Sequence, residues 1–419
     1  MQSDSQGDDV LVVGGGVIGL ACAHYLIRAG RSVRVIDRGR VGEGASHGNC
    51  GLVFTSDLVP LCVPGAVRKE LAGMLRGTSP LYIKPRLDVD LICWLVKFAA
   101  AGRAGRLQAS LRARESILAS SERLFEELFA EHGLAAEFER RGVLLVYRSE
   151  AAFNSYASTN RLLEPFGLAA APLVGNALSE VEPALRSDLF GAWHHRSDAH
   201  LRPDALVRSW RERLARDGVV FTENCALTDF CASGGRIEAV ETSSGRVAAR
   251  EVVLAAGAWS QGVASRLGVK VPIQPGKGYS ITMGRPALCP QTPCYLHERR
   301  VVATPWASGY RLGGTMEFSG FSTDLNRRRV DALKSAAGEY LRQPLGQPIL
   351  EEWAGLRPMT YDDLPVIGRA PGVANLLLAT GHGMLGITTA PATGKLAAEL
   401  ICGEPPHIDP SPFRVERFR

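Results

Sequence analysis

Residues 10–37 read VLVVGGGVIGLACAHYLIRAGRSVRVID, and no other stretch restricts the fold as much. Val10–Val13 is a β-branched run. Glycines follow, then a segment with helical spacing that stops at Gly30, then a second strand ending on Asp37. Strand, turn, helix and strand in this order form a βαβ unit, which requires a parallel sheet and predicts an α/β, Rossmann-like domain. The turn carries G-x-G-x-x-G at Gly14, Gly16 and Gly19, and Asp37 lies 18 residues beyond Gly19. Each position has a physical task. Gly14 permits the tight turn, Gly16 lets the backbone approach a pyrophosphate, and Gly19 lets helix and strand pack closely. The helix N-terminus presents unpaired N–H groups to the anion. Asp37 is expected to accept from ribose hydroxyls, with Arg38 beside it at the same end. No second such motif occurs, so one dinucleotide is expected; the loop alone does not separate NAD from FAD.

The chain is 419 residues long and 46% apolar, enough for more than one domain. Its net charge is +5, and no Lys/Arg tract is interleaved with aromatics, which argues against nucleic-acid binding. Nine cysteines are scattered without a C-x-x-C pair, against zinc ribbons and dithiol redox centres and in keeping with a reducing, cytoplasmic setting. His47, His194, His195 and His200 lack metal-ligand spacing, so no metal is expected. The N-terminal MQSDSQGDDV has no signal-peptide pattern, and no apolar run is long enough to span a bilayer.

Helical periodicity is expected over 88–132, with Leu91, Trp94, Leu95 and Phe98 on one stripe. From Lys84 to Arg114 there are seven Lys/Arg against two Asp. That segment reads either as a helix packed on the rest of the protein, the favoured reading, or as a peripheral membrane patch. Strands are expected in RGVLLVYRSE, GVVFTE, RIEAVET, EVVLAAG, YSITM, GYRLGGT and NLLLAT. Helices are expected in PDALVRSWRERLARDG, RRVDALKSAAGEYLRQ and the C-terminal KLAAELI.

Further motifs carry candidate chemistry. GASHGNCGL (44–52) is small and polar, suited to running along a cofactor, with Ser46 and Asn49 near it. LAAGAWS (254–260) ends a strand in residues almost without side chains, placing Gly257 and Trp259 near a nucleotide. Leu227 is expected to offer backbone to the adenine. In GLRPMT, Arg357 sits among apolar residues and needs an anion: a substrate carboxylate, or Asp362, Asp363 or Glu352. Tyr279 is a candidate donor to the same carboxylate, and His382 a candidate proton holder. GHGMLGITTAPATG (381–394) holds four glycines and no charge. Gly381, Gly383, Met384, Gly386 and Ile387 are expected against a flat ring, with Thr388 or Thr389 capping the helix that follows. A helix N-terminus there stabilises negative charge without a side-chain cation.

In this order, GEGASHGNCGLV, LAAGAWS, PGKGYS, GLRPMTYDDLPVIG and ATGHGMLGITTAPATGKLAAELI together resemble the FAD-dependent D-amino-acid oxidase superfamily. Within it the chain looks most like the bacterial D-amino-acid dehydrogenases, including those acting on D-proline and D-hydroxyproline. The resemblance implies non-covalent FAD in a discontinuous domain (1–85, 195–268 and 350–419), interleaved with an α+β substrate domain (86–194 and 269–349) on a mixed or antiparallel sheet. It implies oxidation of a D-amino acid by hydride transfer from Cα to flavin N5, with Arg357 on the carboxylate. Electrons would pass to a quinone or carrier protein. The alternatives are a glycine- or sarcosine-type oxidase using oxygen, or a flavin-bearing subunit of a hetero-oligomeric dehydrogenase. One departure is local: relatives tend to have Pro-Asp-Gly where this chain has Tyr361, Asp362 and Asp363. Asp tolerates the left-handed conformation that such a glycine serves, so the turn is expected to survive.

Overall fold

The computed structural model describes residues 8–63, 81–84 and 87–418. The opening strand Asp8–Val13 runs parallel between Val33–Ile36 and Gly245–Leu254. Val220–Thr222 extends the sheet beyond Val33–Ile36, and Leu376–Thr380 extends it beyond Gly245–Leu254, both parallel. Val366–Arg369 closes that edge antiparallel. Residues 10–13 and 252–254 are unbroken buried apolar runs because layers cover both faces of a parallel sheet. Gly245–Leu254 serves two neighbourhoods. Its first half pairs in an antiparallel meander with Arg236–Thr242 and, beyond that, Leu227–Ser233.

A second sheet, of nine strands among the described residues, is mixed but largely antiparallel. Toward one edge Ile273–Met283 lies between the edge strand Ile349–Thr360 and Gly309–Phe318. The order continues through Val301–Trp306, Cys294–Leu296, Val143–Tyr147, Gly191–His195 and Ala171–Val174. The helix Arg327–Gly338 covers one face, burying Val330, Leu333, Ala336 and Ala337 against Tyr279, Ile281 and Leu312. The architecture is therefore a Rossmann-like parallel sheet interleaved with an α+β unit on a mixed sheet, as the sequence implies. Its strands come alternately from distant parts of the chain, which brings their ends to a common crevice.

Two expectations change in detail. The helix expected over 88–132 is two helices, Val89–Ala101 and Ala104–His132. Gly102 lies so close to the loop before them that a Cβ there would stand 2.2 Å from the Cys62 carbonyl oxygen. Asp88 caps the first helix by accepting from Leu91 N at 2.9 Å. Leu91 and Trp94 are buried, Trp94 Nε1 donates to the Pro272 carbonyl at 3.1 Å, and its ring stacks on Phe98. The opposite face exposes Val89, Ile92 and Val96.

The second change concerns the uncharged glycine segment. The helix begins at Gly386, not at Lys395, and runs to Cys402 with Pro391 inside it. The small residues in that half are a packing surface. Gly394 abuts the helix Val17–Arg28, where an added Cβ would stand 2.4 Å from the Ala21 carbonyl. A charge on this face would have to be buried between two helices, which physical chemistry penalises heavily.

Candidate active site

A cavity of about 1640 Å³ runs from the ends of the parallel strands to the concave side of the second sheet. At one end lie Gly14, Gly16, Asp37, Arg38, Ser46 and Leu227, and Gly257 and Trp259 close the wall. Gly14 has φ +110°, and a Cβ on it would stand 2.4 Å from the Ala255 carbonyl oxygen, so only glycine makes this turn. Gly19 does not line the cavity. A Cβ there would stand 1.9 Å from the Gly14 carbonyl oxygen, so its task is helix-to-turn contact. Asp37 braces the loop: Oδ2 accepts from Gly15 N at 2.7 Å and Oδ1 from Gly39 N at 2.9 Å. The guanidinium of Arg38 stacks on Trp259, 3.6 Å from the ring centre.

Ser46 Oγ accepts from Val17 N at 3.0 Å, satisfying one of the free donors at the start of the first helix. Asn49 Oδ1 accepts from Gly51 N at 2.7 Å. Sequence reasoning missed what holds this segment. Arg311 is fully buried and donates through Nη1 to the carbonyls of His47 and Asn49, each at 2.7 Å. The signal was available, because Arg311 is a cation inside the apolar strand GYRLGG, the same pattern that singled out Arg357.

The glycine segment forms the next part of the wall through Gly383, Met384, Gly386 and Ile387. Gly381 stands off the cavity; its φ of +75° turns the chain, and a Cβ would press on Thr360. The expected threonine caps are not formed. Thr388 Oγ1 donates to the Leu52 carbonyl at 3.1 Å, and Thr389 Oγ1 donates to the Leu385 carbonyl at 2.8 Å. The helix Gly386–Cys402 thus opens without a side-chain cap, and its first residues line the cavity. Uncapped N–H groups at a helix N-terminus favour an anion or a developing negative charge. The turn after the strand Ile349–Thr360 survives as expected, with Asp363 at φ +59°. Its carboxylate accepts from Leu61 N at 2.9 Å and from Arg114 at 2.8 Å.

At the other end Arg357 faces the cavity from the strand Ile349–Thr360. Its Nη1 donates to the Thr315 carbonyl at 2.9 Å. The three carboxylates that could have claimed it are engaged elsewhere. Asp362 pairs with Arg417 at 2.7 Å, Asp363 with Arg114 at 2.8 Å, and Glu352 with Lys334 at 3.0 Å and also with Arg327. Among the described residues no carboxylate forms an ion pair with Arg357. Burial pushes its pKa below the usual guanidinium range. Cys50 lies alongside it, and burial raises that thiol, so it stays protonated.

The expectation for Tyr279 is corrected. Its hydroxyl donates to Glu317 Oε2 at 3.1 Å within the layer under the helix Arg327–Gly338. Strand alternation explains why. Gly276 is paired with Arg357, and the guanidinium lies over Gly278; Tyr279 borders the cavity, but its side chain projects to the opposite face. His382 does line the cavity, but its Nε2 is bonded to Thr393 at 3.0 Å. Burial lowers its pKa to about 3, so it is neutral near neutral pH and does not store a proton there. The cavity is also lined by Asp57, Tyr156, Tyr295 and Arg300, none of which lies in a recognisable motif.

The residues present fit a dinucleotide. The βαβ loop has its braced glycines, Gly257 has open space where a Cβ would stand, and an uncapped helix faces the middle of the cavity. The model of the DAO family, described as FAD dependent oxidoreductase, matches residues 9–400, and the chain belongs to that family. It is therefore an FAD-dependent oxidoreductase with a DAO-type fold. Over 98% of both chains it is 32% identical to a D-amino acid dehydrogenase of Paramagnetospirillum magneticum. It is 31% identical to a D-amino acid dehydrogenase of Xanthobacter autotrophicus over 98% of this chain and 99% of that one. Among solved structures it is similar to glycine oxidase from Geobacillus kaustophilus, with TM-score 0.78 and 23% identity over 97% of this chain and 98% of the other.

Proposed function

We propose that the protein oxidises a D-amino acid, with Arg357 holding the substrate carboxylate. The observation that carries this reading is Arg357 itself: a cavity-facing guanidinium that pairs with no carboxylate among the described residues, while Asp362, Asp363 and Glu352 are each paired with another cation. A buried cation needs an anion, and a planar carboxylate meets guanidinium with two parallel hydrogen bonds. The full-length relatives named D-amino acid dehydrogenase support the substrate class.

FAD, when bound, supplies the hydride acceptor for the Cα hydrogen. Arg357 fixes which substituent of Cα faces that acceptor. The N-terminus of Gly386–Cys402 would stabilise negative charge on the bound cofactor. With His382 neutral and bonded to Thr393, the amine loses its proton to solvent before oxidation, so the rate rises with pH. D-Proline, D-hydroxyproline and D-alanine are the first candidates. Electrons pass onward to a quinone or carrier. The exposed Val89, Ile92 and Val96 support a contact surface for a membrane-held acceptor, and no helix among the described residues is long and apolar enough to cross the membrane itself.

The test is anaerobic mixing of the purified holoprotein with D- and L-amino acids, glycine and sarcosine. The flavin band should bleach with D-amino acids, and Arg357→Ala should weaken apparent substrate binding by about a hundred-fold or more. Bleaching by glycine or sarcosine in preference, with rapid peroxide formation in air, would favour an oxidase instead.

A further inference from the structure

Three described residues lining the cavity carry carboxylates: Asp37, Glu43 and Asp57. Asp37 is committed to the amides of Gly15 and Gly39, and Glu43 accepts from Arg40 N at the same end. Asp57 is different. Its backbone carbonyl is clamped by Arg114, through Nε at 3.1 Å and Nη2 at 2.7 Å. Its carboxylate lies 3.4 Å from that guanidinium, beyond a good hydrogen bond, and the side chain remains 28% exposed. The backbone is held rigidly while the acid group is left to the cavity.

Neighbours place Asp57 at the substrate end. Arg300 lies within its field and donates to the Tyr295 hydroxyl at 3.3 Å, and Tyr295 in turn lies within the field of Arg357. From the helix Glu150–Leu163, Ser155, Tyr156 and Thr159 line the same wall. The Tyr156 hydroxyl is bonded to His195 at 2.8 Å. Arg357, Tyr295, Arg300 and Asp57 thus line one cavity and are linked in sequence by these interactions.

We propose that Asp57 is a specificity-determining residue that accepts a hydrogen bond from the substrate side chain, favouring amino acids that end in an ammonium, guanidinium or hydroxyl. The inference rests on Arg357 as the carboxylate anchor. With the carboxylate fixed there and the Cα hydrogen directed at the oxidant, the side chain is the part that extends along the wall toward Asp57. The α-amine is the poorer candidate, because an ion pair with Asp57 would hold on the proton that must leave. A site that hydrogen-bonds a substrate group rejects the isostere lacking it far more strongly than an apolar wall rejects a lost methylene.

The charge around Asp57 sets its pH behaviour. Burial raises its pKa to about 6; Arg114 and Arg300 pull it down, while Asp363 pushes it up. Among the described residues, Tyr156 and Asp198 also interact with it electrostatically. Above that pH the group is a carboxylate and accepts. Below it the carboxyl is protonated, and the attraction for a cationic side chain is lost.

The experiment measures flavin reduction under anaerobic conditions with matched pairs: D-lysine and D-norleucine, D-threonine and D-valine, cis-4-hydroxy-D-proline and D-proline. The ratio within a pair cancels steps common to both members. In the wild type at least one donor should be preferred by about ten-fold or more in reduction rate over Kd, and Asp57→Asn should bring the charged pair to within about three-fold. The lysine preference of the wild type should also fall as pH is lowered through about 6. Ratios near one for every wild-type pair overturn the role of Asp57 while leaving amino-acid oxidation intact. Reduction by no amino acid overturns both readings. Should Asp57→Asn fail to retain flavin, the wild-type profile decides, and a lysine-to-norleucine ratio independent of pH overturns the inference.

Discussion

Gly278 and Arg357 lie on neighbouring strands such that a methyl group on Gly278 would stand 2.2 Å from Arg357 Nη1. The glycine leaves the floor on which the guanidinium rests. Gly278→Ala should therefore displace the tip of Arg357 without breaking the sheet, because the clash is with the end of a side chain. Apparent amino-acid binding should weaken about ten-fold or more while the unfolding midpoint changes little. Steady-state kinetics with a dye acceptor, beside a thermal melt, provide the check. An unchanged KM would show that Arg357 does not hold the substrate.

Gly386 separates cofactor contact from folding. Unlike Gly381 and Gly383 it has no positive φ, and the nearest atom to an added Cβ is His382 Cβ, 3.8 Å away. Gly386→Val should be accommodated by the protein yet crowd the cavity at the helix N-terminus. Flavin content per polypeptide, read from the ratio of flavin to protein absorbance, should drop by about half or more while the circular dichroism spectrum is kept. Full flavin occupancy would mean that the cofactor does not approach this turn.

Tyr279→Phe should change stability more than catalysis. The lost hydroxyl donates to the buried carboxylate of Glu317, which keeps Arg329 at 3.8 Å. Removing such a bond costs about 1.5–3 kcal/mol. Urea unfolding should register that loss. KM should stay within about two-fold, since the ring lies across the sheet from Arg357.

Asp198 is fully buried, accepting from Thr55 Oγ1 and from both Ser56 N and Ser56 Oγ. Burial raises its pKa from 3.8 to about 7, against the pull of those hydrogen bonds. The native state thus holds the proton more tightly than the unfolded chain. The associated stability is fully present below about pH 4 and is lost as pH rises toward about 7. Asp198→Asn should stabilise the protein relative to wild type above pH 7, by on the order of 2 kcal/mol, and the advantage should vanish toward pH 4. Buried histidines oppose this trend in the wild type. Burial lowers His195 and His200 to about 4, so they cost stability as pH falls below 6.5. The difference between variant and wild type across pH isolates Asp198; a constant difference would refute its titration in this range.

Local chemistry determined much of this protein. The alternation of β-branched run, glycines and helical spacing specifies the βαβ unit, because its contacts join residues fewer than 30 positions apart. Asp37 is legible for the same reason. Asp363 is legible because tolerance of a left-handed turn belongs to the residue itself. Long-range pairing decided the rest. Whether Arg357 paired with a neighbouring carboxylate depended on Arg114, Arg327, Lys334 and Arg417 reaching the competing carboxylates first, and no spacing encodes that choice. Tyr279 turned away from Arg357 because the register between two strands sets which face each side chain takes, and that register is absent from either segment read alone. The glycine-rich segment looked like a loop, and half of it is helix. Its small residues answer to Ala21, 373 positions before Gly394, and only the packed pair of helices makes that demand.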